Sequence, residues 1–242
     1  MVMGVPELSP LFEVTLVHEL THALDDQHFG IHRPELYDRN DESAMAFNAL
    51  VEGDARRVEL AYQATLSDDE RSSLAADAAA AAPELDPEVF PGVMTLERDF
   101  ALGDGQAFVQ GLVDDGGNAA VDEAFEDPPQ TSEEVLEPET YLEGVPPTDV
   151  EMPVPGATQT GEGVVGQIAL TWLTAVETLP EGGVAEWNGD HYVLWPEEDR
   201  ICVRADVVGD VTGLEAQLQD WAAAAQVDVG VEDDLLSAST CH

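Results

Sequence analysis

Val17-His18-Glu19-Leu20-Thr21-His22-Ala23-Leu24 carries two histidines four residues apart, with a glutamate directly after the first. In an α-helix residues i and i+4 share a face, so the two imidazoles reach toward a common point. Two ligands of a tetrahedral site are thereby supplied, and zinc is the metal this spacing suits. Glu19 lies one residue round from His18, close enough to touch a water beside the metal without ligating it. It is the candidate general base.

Both flanks support a helix over this stretch. Ser9 followed by Pro10 is a favourable N-cap with proline in the first turn, and Gly30 is a natural stop. Leu16, Val17, Leu20, Ala23 and Leu24 form an expected apolar stripe, with the two histidines beside it. The competing reading, two histidines that merely share a face, fits poorly with a chain that holds only 6 of them.

A catalytic zinc needs a third protein ligand and an open position. Glu52 is the best candidate. It falls in a second helical run over 42–66, opened by Asn40 or Asp41 and carrying Ala44, Phe47, Leu50, Val51, Val58, Leu60 and Ala61. Gly53 follows it. Glycine inside a helix costs about 1 kcal/mol relative to alanine and marks the close approach of another backbone, here expected to be the histidine helix. In so acidic a chain a surface glutamate competes with this reading, and position alone leaves both open. Asp25, Asp26 and His28 are next in line as ligands, while Glu59 is expected to be exposed and indifferent to the metal.

His18-Glu19-Leu20-Thr21-His22 together with Glu52-Gly53-Asp54-Ala55 resembles the gluzincin class of zinc metallopeptidases, whose third ligand is a glutamate on a downstream helix, often followed by glycine. The chain is also similar to a group of HExxH surface proteins of haloarchaea and other prokaryotes, over 18–29, 50–55, 105–113, Gly116-Gly117, 128–141 and 187–195. Of these stretches only the HExxH is specific by itself. The resemblance implies zinc held by His18, His22 and Glu52, Glu19 as the catalytic base, a peptide or protein substrate, and an extracellular or cell-surface location. It also implies a histidine or tyrosine that stabilises the oxyanion; Tyr141, His191 and Tyr192 are candidates, each with a structural role as the simpler reading. Strands ahead of the active-site helix belong to the same picture. Here residues 1–9 precede that helix, and they lack the basic region and apolar core of a signal peptide. His28 and His32 read as helix-end histidines that interact with the dipole. Two further functions stay open: a noncatalytic zinc-binding surface protein of the same descent, and an envelope-interaction protein with structural zinc.

Composition sets the environment. The 51 acidic residues face 8 basic ones, all arginine, for a formal charge of -43, and the acids run from end to end among 44% hydrophobic residues. In dilute buffer such charge repels itself and opposes compaction, whereas in molar salt the screening length falls to about 3 Å. This is the balance of a protein that works in high salt, as in a halophile. Nucleic acid is excluded as a partner, because phosphate binding needs a basic face. Disorder is expected only over 122–139. No stretch reads as a transmembrane segment.

A chain of 242 residues can bury one or two cores. The expected fold class is α+β: a mainly helical metallopeptidase-like region over 1–145, then an α+β region over 146–242 with a small antiparallel sheet and flanking helices. In the first region Ser67-Asp68-Asp69-Glu70 is a capping box opening an alanine-rich helix, to be read either as a lid or docking element or as a plain packed helix. Helical segments follow at 94–100 and 106–112, and Thr131-Ser132-Glu133-Glu134 is a further cap. Pro146-Pro147, Pro153 and Pro155 make a connector. Beyond it the pattern predicts a helix over 164–179, a hairpin of 192–195 and 201–207, a helix over 213–225 and a strand over 234–239. Trp172, Trp187, Trp195 and Trp221 read as core aromatics. Cys202 and Cys241 either bridge, tying down the terminus, or remain free thiols.

Overall fold

The computed structural model describes residues 8–37, 41–81, 92–175, 187–209, 227–232 and 235–241. The protein is of the α+β class, with helices and, among the described residues, a five-stranded antiparallel sheet. Contacts divide it into two units, Met1–Arg33 with Asn48–Pro128, and Pro34–Phe47 with Pro129–His242. The division expected at 145/146 follows the proline-rich connector; by contacts the second unit begins at Pro129 and also takes Pro34–Phe47.

In the first unit, helix α1 spans Pro10–Phe29. Its ends form as the sequence predicts. Ser9 is extended and its hydroxyl accepts from the Phe12 N–H, while Gly30 is left-handed (φ 65°) and returns its N–H to the Asp26 carbonyl. The buried face is not the expected one. Val14, Thr21 and Asp25 are its buried residues, with His18 and His22 half-buried, whereas Leu16, Leu20 and Leu24 are 39, 52 and 56% exposed. Positions 14, 18, 21, 22 and 25 follow the helical period as well as the leucines do, and a helix that turns a polar site inward must turn the opposite stripe outward.

The short helix α2 covers Pro34–Tyr37, and α3 covers Asp41–Gln63. Ala49, Leu50 and Ala55 of α3 are fully buried. A Cβ at Gly53 would lie 2.3 Å from the Gly105 carbonyl oxygen, and one at Gly105 would lie 2.2 Å from that of Ala49. The backbone that approaches Gly53 is therefore at Gly105, not in α1 as expected; two glycines facing each other bring the helices closer than any side chain would permit. Glu13 of α1 accepts a hydrogen bond from the Tyr62 hydroxyl at 3.0 Å, which ties α1 to α3.

Helix α4 (Asp68–Ala81) opens with the expected capping box: Ser67 N–H donates to Glu70 Oε2 and Glu70 N–H to Ser67 Oγ. It packs on α1 without fully burying any residue. The two segments expected at 94–100 and 106–112 are α5 (Gly92–Asp99) and α6 (Gly105–Gly116), joined by a π-turn over Phe100–Asp104 in which Gly105 N–H bonds to Phe100 O. Helix α7 is Asn118–Glu126. The disorder expected over 122–139 is overturned here: Ala124, Phe125 and Val135 are buried, and the acids that suggest disorder mostly face solvent on the other side of short amphipathic helices. Phe125 stacks on Phe29 at 4.8 Å and pins the end of α1.

The second unit holds α8 (Ser132–Leu136), opened by the capping box of Thr131 and Glu134, then α9 (Pro138–Glu143), α10 (Gly166–Ala175) and the sheet. Strand order is β1-β2-β3-β5-β4, with β1 Gly161–Gly163, β2 Trp187–Glu197, β3 Arg200–Gly209, β4 Asp228–Glu232 and β5 Leu235–Cys241. The β2–β3 hairpin and β5 match expectation; the edges, β1 and β4, are additional to it. Leu170 of α10 packs on Trp187, Val207 and Leu236. Trp172, Trp187 and Trp195 are buried, while Trp221 and the helix expected over 213–225 lie outside the described residues. Cys202 and Cys241 face each other in register and form a disulfide across 39 residues, worth about 4 kcal/mol in the chain-entropy model. Asp190, buried, accepts from the N–H groups of Val165 and Gly166 and from the Trp187 indole, so it caps α10. Among the described residues no helix is long and apolar enough to cross a membrane.

Candidate metal centre

Helix α1 presents His18 and His22 one turn apart, and α3 presents Glu52. Their ligand atoms converge. His18 Nε2 lies 3.0 Å from His22 Nε2 and 3.3 Å from Glu52 Oε2, and His22 Nε2 lies 3.6 Å from Glu52 Oε1. Two imidazole nitrogens and a carboxylate thus point at one another, a crowding of lone pairs that a single proton relieves for only one pair. Zinc bonds of about 2.0–2.1 Å in a tetrahedron set ligand atoms about 3.3–3.4 Å apart. The observed separations of 3.0, 3.3 and 3.6 Å bracket that spacing, so small side-chain adjustments would let the three residues hold such an ion. Among the described residues His18, His22 and Glu52 form one of two groups of His, Cys, Asp and Glu whose ligand atoms lie within 4.8 Å of one another. The other is Glu197 with the bridged Cys202 and Cys241, whose sulfurs are already spent on each other.

Electrostatics follow from the same closeness. Contact with the Glu52 carboxylate holds His22 above the usual imidazole range despite its burial, and contact with His22 holds Glu52 below the usual carboxylate range. Asp25, buried one turn beyond His22 on α1, is pushed up to about 6 by burial and by Asp54. It does not join the ligand group.

Glu19 is exposed on α1, and its charge adds to the rise of the His22 pKa. His28 and His32 are exposed; His28 rests edge-on against Phe29. Tyr141, His191 and Tyr192 belong to the second unit, whereas the His18, His22 and Glu52 group is built wholly from the first. His191 Nδ1 is 3.1 Å from the Val150 carbonyl oxygen, a structural partner.

Glu59 departs from expectation. Its side chain is only 12% exposed, and Oε2 lies 3.3 Å from His18 Nδ1, the ring nitrogen opposite the converging one. Arg56 and Gln63 both donate to Glu59 Oε1, the latter at 2.7 Å. Spacing alone carries this signal: Glu52, Arg56, Glu59 and Gln63 recur at i, i+4, i+7 and i+11, one polar stripe along α3.

Beside the ligand group lies a cavity of about 620 Å³. His18, Glu52, Arg56, Glu59, Arg71 and Leu74 are among the residues that line it, so α1, α3 and the alanine-rich α4 form its walls. Helix α4, packed on α1, is thus also a wall of this hollow. No protein-family model, curated protein or solved structure matches this chain.

Proposed function

We propose that the chain is a zinc-dependent peptide-bond hydrolase of gluzincin type, with zinc held by His18, His22 and Glu52 and a peptide or protein as substrate. The observation that carries this reading is the convergence of those three side chains at 3.0 to 3.6 Å beside an open cavity, with the free Glu19 carboxylate next to His18 in the chain. Zinc, when bound, supplies Lewis acidity toward a water and toward the scissile carbonyl oxygen. Glu19 takes a proton from the attacking water and passes it to the leaving amine. Glu59, by accepting the Nδ1 proton of His18, fixes the tautomer that leaves the Nε2 lone pair for the metal.

Three side-chain ligands with no fourth among the described residues suit an open, catalytic site better than a closed structural one. This counts against an envelope-interaction protein with structural zinc. The disulfide and the resemblance to surface proteins support an extracellular or cell-surface setting, and the acidic surface supports work in molar salt. In molar potassium chloride the protein is expected to cleave members of a peptide library, to stop with a chelator and to resume with zinc. A zinc-loaded protein that cleaves nothing would favour the second reading, a noncatalytic zinc-binding surface protein. One observation speaks for that reading: Glu19 is not among the described residues that line the cavity.

Glu59→Gln is expected to weaken zinc affinity by roughly 10- to 100-fold, the usual effect of removing a carboxylate behind a ligating histidine. Competition against a chromogenic chelator measures it, and an unchanged affinity removes Glu59 from the account.

A further inference from the structure

The geometry points to a peptide that carries a carboxylate as what the cavity beside His18 and Glu52 takes, with Arg71 and Arg56 as the residues that select it. The inference rests on the peptidase reading of that site and names its substrate class.

Only 8 of 242 residues are cationic, yet two of them, Arg56 and Arg71, line this one cavity. The described acids that line it, Glu52 and Glu59, are both engaged, the first with His18 and His22 and the second with His18, Arg56 and Gln63. In a chain with 51 acids, the described lining of this hollow therefore holds no uncommitted carboxylate. Both arginines keep donor capacity. Of the five N–H donors of a guanidinium, Arg71 directs one to the Leu66 carbonyl and one to Asp68, a side chain 96% exposed, and Arg56 directs one to Glu59. Leu11, Val14, Leu74 and Ala78 supply apolar wall around them.

A carboxylate entering this space meets planar forks that match it in two-point hydrogen bonds. A lysine side chain meets the same two like charges. In molar salt charges farther apart than about 3 Å are screened, so recognition has to come from such direct contact and not from long-range steering. The carboxylate comes either from an aspartate or glutamate side chain near the scissile bond or from the free C-terminus of the peptide.

The test is binding of fluorescent peptides of one length to the zinc-loaded full chain carrying Glu19→Gln, in molar potassium chloride, beside hydrolysis of the same peptides by the wild type. Four peptides combine glutamate or glutamine at one position with a C-terminal acid or amide. The carboxylate-bearing forms are expected to bind about tenfold more tightly or better, as a charged hydrogen-bonded partner does. Glutamate over glutamine identifies a side chain as the source; acid over amide identifies the terminus. Arg71→Gln is expected to erase the preference and Arg71→Lys, which keeps the charge without the fork, to reduce it. Equal binding of all four peptides by the protein with both arginines intact overturns the inference, as does a preference that survives both Arg71→Gln and Arg56→Gln. Preference without hydrolysis supports the carboxylate site and counts against the peptidase reading, and hydrolysis without preference does the reverse.

Discussion

Glu19→Gln is expected to keep the full zinc content of the protein and to lower peptide hydrolysis by about 10²- to 10⁴-fold, the range that a positioned general base contributes. Glutamine fills the same space on the exposed side of α1, where Glu19 has no hydrogen-bond or ion-pair partner among the described residues to lose. The fold and the ligand group should therefore be untouched. Glutamine cannot accept a proton from water, so the loss should appear in turnover and not in the Michaelis constant. Parallel zinc determination and kinetics in molar salt separate the two effects. A variant that hydrolyses like the wild type would move the base elsewhere, and one that loses its zinc would give Glu19 a structural part.

Stability is expected to rise steeply with salt and, at low salt, with mild acidification. The formal charge of -43 repels itself most in the compact state, and raising salt from 0.1 to 1 M shortens the screening length from about 10 Å to about 3 Å. Two carboxylates, buried Glu42 and half-buried Glu133, act in the same direction. Burial pushes Glu42 up to about 7 despite the Ser132 N–H and hydroxyl that bond its Oε1, and pushes Glu133 up to about 7 as well. The folded form of each holds its proton more tightly than the unfolded chain does. Stability is thus gained as pH falls from above 7 toward the ordinary value of 4.5, and lost as pH rises through 7. Glu52 opposes the trend, because its lowered pKa stabilises at higher pH and that contribution goes as pH falls through the lowered value. Acid should therefore restore the fold before it restores activity, since protonating the ligands competes with metal. Circular dichroism melts across salt at pH 5 and pH 8 check this. A melting temperature flat from tenth-molar to several molar salt would rule out the high-salt account.

How much of the fold and of the candidate site is legible in the sequence depends on how local the determining physics is. The ends of α1, the Ser67 and Thr131 capping boxes and the hairpin rest on contacts within a few residues, and the local pattern finds them. Hydrophobicity alone selects the leucine stripe as the inward face of α1, whereas the polar line through His18, Thr21, His22 and Asp25 is the one that α1 turns in. Gly53 correctly signals a close approach, but its partner, Gly105, lies 52 positions away and nothing in the local sequence names it. Strand β1 is Gly161-Glu162-Gly163, with no β-branched residue to mark it, and β4 carries Gly230 at its centre; both exist because a neighbouring strand offers them an edge. Acids obscure the helices at 118–126 and 132–136, although Ala124, Phe125 and Val135 keep the helical period. In so acidic a chain Glu59 passes for one more surface carboxylate. Its two-turn spacing from Glu52 is the signal that sets it apart.

Elemental analysis of the purified protein in high salt decides whether His18, His22 and Glu52 hold zinc, as proposed. One zinc per chain is expected in the wild type, and loss of that zinc in His18→Ala, His22→Ala and Glu52→Ala, each still folded by circular dichroism. Equal zinc in the wild type and all three variants would contradict the proposal.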